Sequence, residues 1–426
     1  MQERLIASGP VTSWQSNNAN VVVDENGNLT AAVDALRPNG QATITAISGV
    51  ASATCKTTIV DWTANRLQLE LASYLTDYNV TEGLDGALYS TYGLTLYKST
   101  DDFVTKMTVG ALPATTDKKL LFTPHGVILR GEAAIYKSVD DMQTWTLCID
   151  GLYNCLYHAF DYYYDAANEL VYVYTGEYTM DYNTRRCRVI RGVIESDGSE
   201  TWTTAIEFYT PDEYTADPVG NIPSAHHIHL VTVDQATGRV YAGTGDGNPQ
   251  CNIVISNDHG VTWQTLGTGA QKWRTLSMWF TDDYVYWNMD TSAPQSIWRL
   301  ARANLSAQEP ENDLSAEVQK LNNGSHWYHC WGKDDQGRDI VIMAQAQEGQ
   351  IRDWMSRVYG IRELVNGNVE IQELLAARSN TPDVYTPMAQ FEPQLQHGDY
   401  IYLNGRQLMD HNRLWKMRFV REAAPA

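Results

Sequence analysis

The sequence predicts an all-β protein, a seven-bladed β-propeller preceded by a small N-terminal β-sandwich. Three observations lead to this fold class. An apolar segment ending in a basic or small residue recurs seven times, at intervals of about 40 to 65 residues, which is the spacing of four-stranded blades. Helix signals are sparse, with residues 313–321 as the one short helical candidate. At 426 residues, the chain is long enough for one propeller to occupy most of it.

The seven recurring segments define the blades. They occupy residues 96–99, 135–138, 189–192, 253–256, 297–299, 358–362 and 414–418. The last segment ends close to the C-terminus, so its blade lacks an outer strand. Residues Leu67 to Leu71 alternate apolar and polar side chains. We therefore expect this N-terminal strand to complete the last blade and close the ring.

Residues 256–263 form the most specific local motif, SNDHGVTW, which follows the pattern S-x-D-x-G-x-T-W. A short Ser or Asp side chain caps its own backbone, Gly accepts a positive φ, and Trp buries a large surface. Degenerate copies occur at 138–145, 197–202 and 99–101. The motif resembles the Asp-box turn of sialidase-like β-propellers. This resemblance implies the fold and leaves the activity open, because hydrolases, lyases and binding proteins all carry the turn.

The first sixty residues follow a different pattern. Short alternating strands are broken by Asn-Gly turns. The order W-x-S, V-D-x-x-G-x-L-T, G-x-A-T-I-T-A over residues 11–60 resembles a bacterial Ig-like domain of group 2. We place a partial Ig-like domain at 1–61 and the propeller at 62–426. The pattern begins late, which implies a sandwich without its opening strands, either truncated or completed by a partner chain.

Composition excludes several classes of partner. The formal net charge of −20 argues against nucleic acid and anionic membranes. No apolar stretch reaches membrane-spanning length, and the N-terminus has no signal peptide. The protein then reaches the outside either after removal of a signal or inside a virus particle. No C-x-x-C pair occurs, which disfavours a zinc ribbon. Disulfides would allow 15 pairings that the sequence cannot distinguish, and we expect free buried thiols at the six cysteines, which are Cys55, Cys148, Cys155, Cys187, Cys251 and Cys330.

Candidate site residues lie where inner strands of the propeller are expected. Equivalent positions on successive inner strands converge on the channel axis, so one solvent-filled end of the channel should collect His125, His158, His229, Arg274 and His329. His227 and His229 should share one face of their strand. Aromatic side chains placed to stack on sugars, or alternatively to pack in the core, are Trp273, Trp327 and Tyr328.

The chemistry of these residues leaves several functions open. Residues 220–300 resemble uncharacterised sialidase-like Asp-box proteins of bacteria and their phages, which implies glycan contact. No R-I-P segment occurs, which disfavours a true sialidase. A polysaccharide lyase on this fold would use His158 or His229 as base, Tyr178 as acid and Arg274 to neutralise a uronate carboxylate. Asp246 would contact sugar hydroxyls. We expect no cofactor, unless the channel histidines hold a divalent metal.

We therefore expect a phage virion or tail-associated protein, or another surface-exposed protein, whose propeller recognises host glycan. The Ig-like module would contact other virion or surface proteins. One alternative is an exported glycan-active enzyme, a lyase before a hydrolase. Another is a propeller that only decorates an assembly.

Overall fold

The computed structural model describes residues 3–4, 13–16, 21–23, 28–31, 41–48, 51–58, 67–75, 79–113, 119–179, 185–210, 213, 224–291, 295–321, 325–346, 355–364, 367–378, 390–406 and 413–421. The chain divides into two compact units. The first contains residues 1–68 and 420–426, and the second contains residues 69–419.

The first unit contains two three-stranded antiparallel sheets, ordered β1-β4-β3 and β2-β5-β6. Their strands are β1 (Glu3–Arg4), β2 (Ser13–Ser16), β3 (Val21–Val23), β4 (Asn28–Ala31), β5 (Gln41–Ser48) and β6 (Ala51–Thr58). Strands β5 and β6 form a long hairpin that pairs Ser48 with Ala51 beside its turn. The Ig-like assignment, the domain boundary at residue 61 and the missing opening strands stay predictions.

The second unit is an all-β propeller of seven blades. In each of the first six blades, four consecutive strands run in sequence order from the channel to the rim. Blades 1 to 3 are β8 (Val80–Glu82), β9 (Leu88–Tyr92), β10 (Thr95–Ser99), β11 (Met107–Ala111); β12 (Lys119–Thr123), β13 (Gly126–Arg130), β14 (Ile135–Ser138), β15 (Thr146–Ile149); and β16 (Phe160–Asp165), β17 (Leu170–Gly176), β18 (Cys187–Ile194), β19 (Glu200–Phe208).

The remaining blades follow the same order. Blades 4 to 6 are β20 (His227–Asp234), β21 (Arg239–Gly245), β22 (Asn252–Ser256), β23 (Gln264–Thr268); β24 (Met278–Phe280), β25 (Tyr284–Asn288), β26 (Ser296–Ala301), β27 (Ala316–Lys320); and β28 (Ser325–Lys333), β29 (Asp339–Ala346), β30 (Met355–Glu363), β31 (Val369–Arg378). Blade 7 contains β32 (Gln390–His397), β33 (Tyr400–Arg406), β34 (Arg413–Arg421) and, as its outer strand, β7 (Leu67–Leu75). The seven recurring segments are the third strands of the seven blades.

The ring closes through β7, as the alternation at residues 67–71 predicts. Strand β7 lies beside β34, so an N-terminal strand completes the C-terminal blade. Two side-chain contacts hold this pairing. Arg418 Nη2 lies 3.1 Å from Glu70 Oε2, and the ring of Tyr74 meets Trp415 edge-on at 5.2 Å. The closure joins strands that are separated by most of the chain.

The hydrophobic core lies between neighbouring blades. Ile128 and Ile135 of blade 2 pack against Phe160 and Val171 of blade 3, and all four are fully buried. Similar clusters fill the spaces between blades 1 and 2, 3 and 4, 4 and 5, and 5 and 6. Blades 2 to 5 therefore bury both faces of their sheets, which explains why their strands contain long runs of apolar residues.

Three turns between third and fourth strands share one hydrogen-bond pattern. At residues 256–263, Ser256 Oγ accepts from the N–H of Gly260 at 2.7 Å, and Asp258 accepts from the N–H and hydroxyl of Thr262 at 2.8 and 2.6 Å. Residues 138–144 and 99–105 repeat these bonds. The copy at 197–202 differs, because Asp197 accepts from the N–H of Ser199 instead.

The helix expected at 313–321 is wrong. Residues 316–320 form the extended strand β27, which pairs with β26 as the outer strand of blade 5. Ladder hydrogen bonds outweigh a weak local helix propensity here. The helical segments with described bounds are single 3₁₀ turns at Asn248–Gln250, Gln271–Trp273 and Arg302–Asn304. No helix among the described residues is a candidate to span a membrane.

Among the described residues, five cysteines are free thiols, as expected, but only Cys187, Cys251 and Cys330 are buried, while Cys148 and Cys155 are partly exposed. Burial raises the pKa of Cys330 to about 12, so this thiol stays protonated at neutral pH.

Candidate functional site

The site lies at the end of the channel where the inner strands begin. Each second strand runs antiparallel to the first strand of its blade, so its last residues lie beside the start of that first strand. His227 pairs with Gly245 at the end of β21, which places Asp246 beside the start of β20. The residues after β17 and β25 occupy the equivalent positions in blades 3 and 5. They contribute Tyr178 and Asp290.

A β-bulge aims two histidines at one point. In β20, Ile228 pairs with Thr244 and Leu230 pairs with Gly243, which leaves His229 as the extra residue. The rings of His227 and His229 therefore stack with centroids 4.8 Å apart, and their Nε2 atoms are 2.9 Å apart. Both histidines are buried.

Gly245 makes room for the second ring. A Cβ at this position would lie 2.4 Å from Cε1 of His229 and 2.9 Å from each ring nitrogen. No real Cβ approaches a ring that closely, so the absence of a side chain is what admits His229 beside Asp246.

Asp246, Arg274 and Asp290 surround the two imidazoles. Asp246 Oδ2 lies 3.3 Å from His227 Nε2, and its Oδ1 lies 3.4 Å from His229 Nε2. Arg274 reaches Asp246 Oδ1 through Nη2 at 2.9 Å and Asp290 Oδ2 through Nε at 3.1 Å. Asp290 Oδ2 is also 3.5 Å from His229 Nδ1. We call these five residues, together with Tyr178, the channel-mouth cluster.

The pKa values of His229 and Asp246 both lie below their usual ranges. Burial lowers the pKa of His229, and the nearby carboxylates offset this only in part, so its imidazole is neutral at pH 7. Burial opposes the charged form of Asp246, yet the hydrogen bonds from His227 and His229 hold the pKa of that carboxyl well below its usual range. Two carboxylates thus face a single guanidinium.

Tyr178 covers one side of the cluster. Its ring stacks on His227 with centroids 4.0 Å apart and lies 6.3 Å from His229. The preceding residue, Glu177, fixes this segment, because its backbone oxygen accepts from the N–H of Ile228 at 3.0 Å. The bond ties the end of β17 to β20 between the two histidines.

A cavity of about 380 Å³ lies among the inner strands, and none of the residues of the channel-mouth cluster lines it. Its lining includes His158, His329, Lys119 and Tyr328. Burial lowers the pKa of His329 to about 4, and the charge of Lys119 adds to that effect. Burial, and the charges of its neighbours, hold the pKa of His158 well below its usual range. Both nitrogens of His158 are buried without a hydrogen-bond partner among the described residues.

The expected site residues fall into two groups and do not share one cavity. Tyr178, His229, Asp246 and Arg274 contact one another in the cluster, and the cavity holds the others that meet, which are His158, His329 and Tyr328. The side chain of Trp327 lies outside the described residues. Roles in binding or catalysis stay predictions for all of them.

His125 and Trp273 lie elsewhere. His125 occupies the turn between β12 and β13, at the other end of its inner strand, where its Nε2 bonds to the backbone oxygen of Glu169 at 2.8 Å. The Pro-His-Gly run is a hairpin turn and not the start of a strand. Trp273 is only 4% exposed and stacks on Trp287 at 5.3 Å. Its ring is in the core and presents no face to a sugar.

The sequence analysis missed two members of the cluster. His227 was expected to share a face with His229 but was not proposed as a site residue. Asp290 was not considered, although it lies two residues after the second strand of blade 5, close to the position that Asp246 occupies after that of blade 4. This equivalence between blades is the signal that identifies Asp290.

A larger cavity of about 530 Å³ lies at the other end of the blades, between blades 5 and 6. Its lining includes the half-exposed Trp331 and the carboxylates Asp282, Asp283 and Glu363. It contains none of the residues of the channel-mouth cluster.

No protein-family model and no curated protein matches the chain. Solved structures of similar shape include an extracellular domain from B. thetaiotaomicron, described as part of a hybrid two-component system (9% identity, TM-score 0.46, 83% of this chain and 40% of that one). Another is an ancestral GH74 enzyme, with 13% identity and a TM-score of 0.48 over 83% of this chain and 46% of that one. A third is YCF48 bound to D1 peptide, with 11% identity and a TM-score of 0.44 over 83% of this chain and 96% of that one. This chain spans less than half the length of the first two. The propeller assignment follows from the strand pairing itself.

Proposed function

We propose that this protein is a surface-exposed, carbohydrate-recognising propeller of the Asp-box type, with the channel-mouth cluster as its recognition site. The observation that supports this most is the fixed geometry of two accessible polar groups. The side chain of Asp246 is 39% exposed and that of Arg274 is 20% exposed, while Asp290, which holds Arg274, is 3% exposed. Partly exposed donors and acceptors that are held in fixed positions suit a ligand rich in hydroxyl groups.

The charge of the cluster favours a neutral saccharide. Arg274 already pairs with Asp246 and Asp290, so its guanidinium is not free to neutralise a carboxylate on the ligand. The chain as a whole carries a net charge of −20, which repels polyanions. The acceptors on Asp246 and the donors of Arg274 would instead bind adjacent sugar hydroxyls.

The setting that we propose is a virion or a cell surface. Its supports are the resemblance of residues 11–60 to Ig-like modules and the strongly acidic, soluble composition. In this proposal, the N-terminal unit contacts other surface or virion proteins, while the propeller presents the channel mouth to host glycan.

A glycan array tests the recognition site. The wild-type chain should bind a restricted set of neutral glycans, and Arg274→Ala should lose at least tenfold in affinity because it frees both carboxylates. Arg239→Ala is the matched control. Arg239 begins β21 at the opposite end of the strand and bonds to Asn257, so its loss should leave binding unchanged. Absence of binding, or equal loss in both variants, would exclude the cluster as the glycan site.

Lyase activity is a second candidate, and the proximity of Tyr178 to the two histidines supports it. Tyr178 lies within ring contact of His227 and His229, and the neutral imidazole of His229 can accept a proton at pH 7. The engaged Arg274 argues against a uronate substrate. Incubation with uronate polysaccharides, followed by the absorbance of unsaturated products, tests this reading. Turnover that is lost in Tyr178→Phe and in His229→Ala would establish a lyase, and no turnover with no glycan binding would leave a structural propeller.

A further inference from the structure

We propose that His227, His229 and Asp246 bind one divalent transition-metal ion, with zinc as the best match. The candidate ligand atoms are the two Nε2 atoms and the Asp246 carboxylate, and all of them lie within 4.8 Å of one another. The proposal concerns a metal site and is independent of saccharide binding.

The geometry of the three ligand atoms matches a single small cation. The separations are 2.9 Å between the two Nε2 atoms, 3.3 Å from His227 Nε2 to Asp246 Oδ2 and 3.4 Å from His229 Nε2 to Asp246 Oδ1. Ligands at zinc-nitrogen and zinc-oxygen distances of about 2.0–2.1 Å in a tetrahedron lie about 3.3–3.4 Å apart. The two separations between histidine and carboxylate match this value, each through a different oxygen of Asp246. The two Nε2 atoms would have to move apart by about 0.4 Å for one ion to reach all three residues.

The surroundings hold the ligands in place before any ion binds. The bulge at His229 and the missing side chain at Gly245 bring the two imidazoles together. Asp290 lies 3.5 Å from His229 Nδ1, the position of the carboxylate that commonly orients a metal-bound histidine. Arg274 donates to Asp246 Oδ1 and leaves Oδ2 directed towards His227.

The remaining groups facing the triangle are compatible with a bound cation. Tyr178 stacks on the face of His227 and does not compete for its Nε2. Arg274 contacts both Asp246 and Asp290, so its guanidinium is held beside the carboxylates and away from the two Nε2 atoms that face each other.

The ligand set selects the class of metal. Two imidazole nitrogens and one carboxylate suit zinc and neighbouring first-row ions, whereas calcium and magnesium prefer sites built from oxygen alone. Three protein ligands also leave at least one coordination position for water or a ligand group. Half-exposed Asp246 places that position at the accessible side of the cluster.

Calorimetric titration of the full, tag-free chain with zinc chloride tests the site directly. Chelator-treated wild type should bind one equivalent of zinc. Asp246→Asn should weaken binding at least tenfold, because it removes the only charged ligand. Two controls should bind as wild type does. Asp282→Asn makes the same change in charge at the cavity between blades 5 and 6, and His226→Gln removes the histidine that precedes His227 in the sequence.

A second measurement separates loss of the site from loss of the fold. Cobalt(II) should give visible ligand-field bands in wild type and in both controls, but not in Asp246→Asn. The metal-free unfolding midpoint of Asp246→Asn should show that this variant is folded. Failure of wild type to bind zinc, equal zinc affinity in Asp246→Asn, or equal affinity for calcium would overturn the proposal. Zinc binding without any glycan binding would support the metal site and count only against the recognition function.

Discussion

Glu177→Gln probes how the fold supports the site. Glu177 is completely buried and accepts four hydrogen bonds. Its Oε1 accepts from Arg188 Nη2 at 2.6 Å and from the N–H of Tyr153 at 3.1 Å. Its Oε2 accepts from Arg188 Nε at 2.8 Å and from the N–H of Arg188 at 3.2 Å. The substitution keeps the shape of the side chain but replaces one acceptor oxygen with a donor.

The expected loss follows from this arrangement. The amide oxygen of Gln can keep two of the four bonds, while its NH₂ group faces two donors and leaves them unsatisfied. Hydrogen bonds to charged groups contribute about 1.5–3 kcal/mol each, and breaking a buried ion pair costs about 3–5 kcal/mol. The side chain of Arg188 is 31% exposed and can regain some hydration. We therefore expect the free energy of unfolding to fall by about 3 kcal/mol, at the lower end of that range.

Urea unfolding followed by circular dichroism measures this loss. Glu207→Gln is the matched control, since Glu207 forms an exposed ion pair with Arg186, and we expect a change below about 0.5 kcal/mol there. A loss below about 1 kcal/mol for Glu177→Gln would show that the buried pair contributes little and would refute the reasoning.

Three further predictions concern core packing, backbone strain and the pKa of a turn carboxylate. Gly267→Ala should destabilise by about 3 kcal/mol in the same unfolding assay, because its Cβ would lie 2.1 Å from the buried ring of Trp273; an unchanged midpoint would contradict this. Glu169→Gly should stabilise by up to about 1 kcal/mol, since Glu169 has a φ of 54° and Gly removes that strain; any destabilisation would argue the reverse. Burial alone would raise the pKa of Asp258. Hydrogen bonds from Thr262 and Ser256 have the larger effect and lower this pKa to about 2. The folded pKa lies below the unfolded value of about 3.9, so this carboxylate stabilises above about pH 4, and its contribution is lost as the pH falls towards 2. Solvent screening keeps the contribution to about 1 kcal/mol or less, and the stability difference between wild type and Asp258→Asn should shrink over that pH range.

The sequence by itself determined the architecture of the propeller. Alternating apolar residues and turn signals are local properties, and they placed the third strand of every blade as well as the closing strand at 67–71. The turn at 256–263 was also predictable, because Ser256, Asp258 and Thr262 bond only to near neighbours in the chain. The one local error, the helix at 313–321, arose where weak helix propensity competed with pairing to β26.

Only the tertiary structure decided the composition of the site. Asp290 reaches His229 from the next blade, a contact that depends on how blades pack. The bulge that aims His229 at His227 leaves no mark in the hydrophobic alternation. Likewise, His125 and His158 share a motif-like context but lie at opposite ends of their inner strands, and Trp273 is drawn into the core by Trp287. Strand periodicity depends only on residues that are close in sequence. The convergence of side chains on one site depends on register and packing between segments that are distant in sequence.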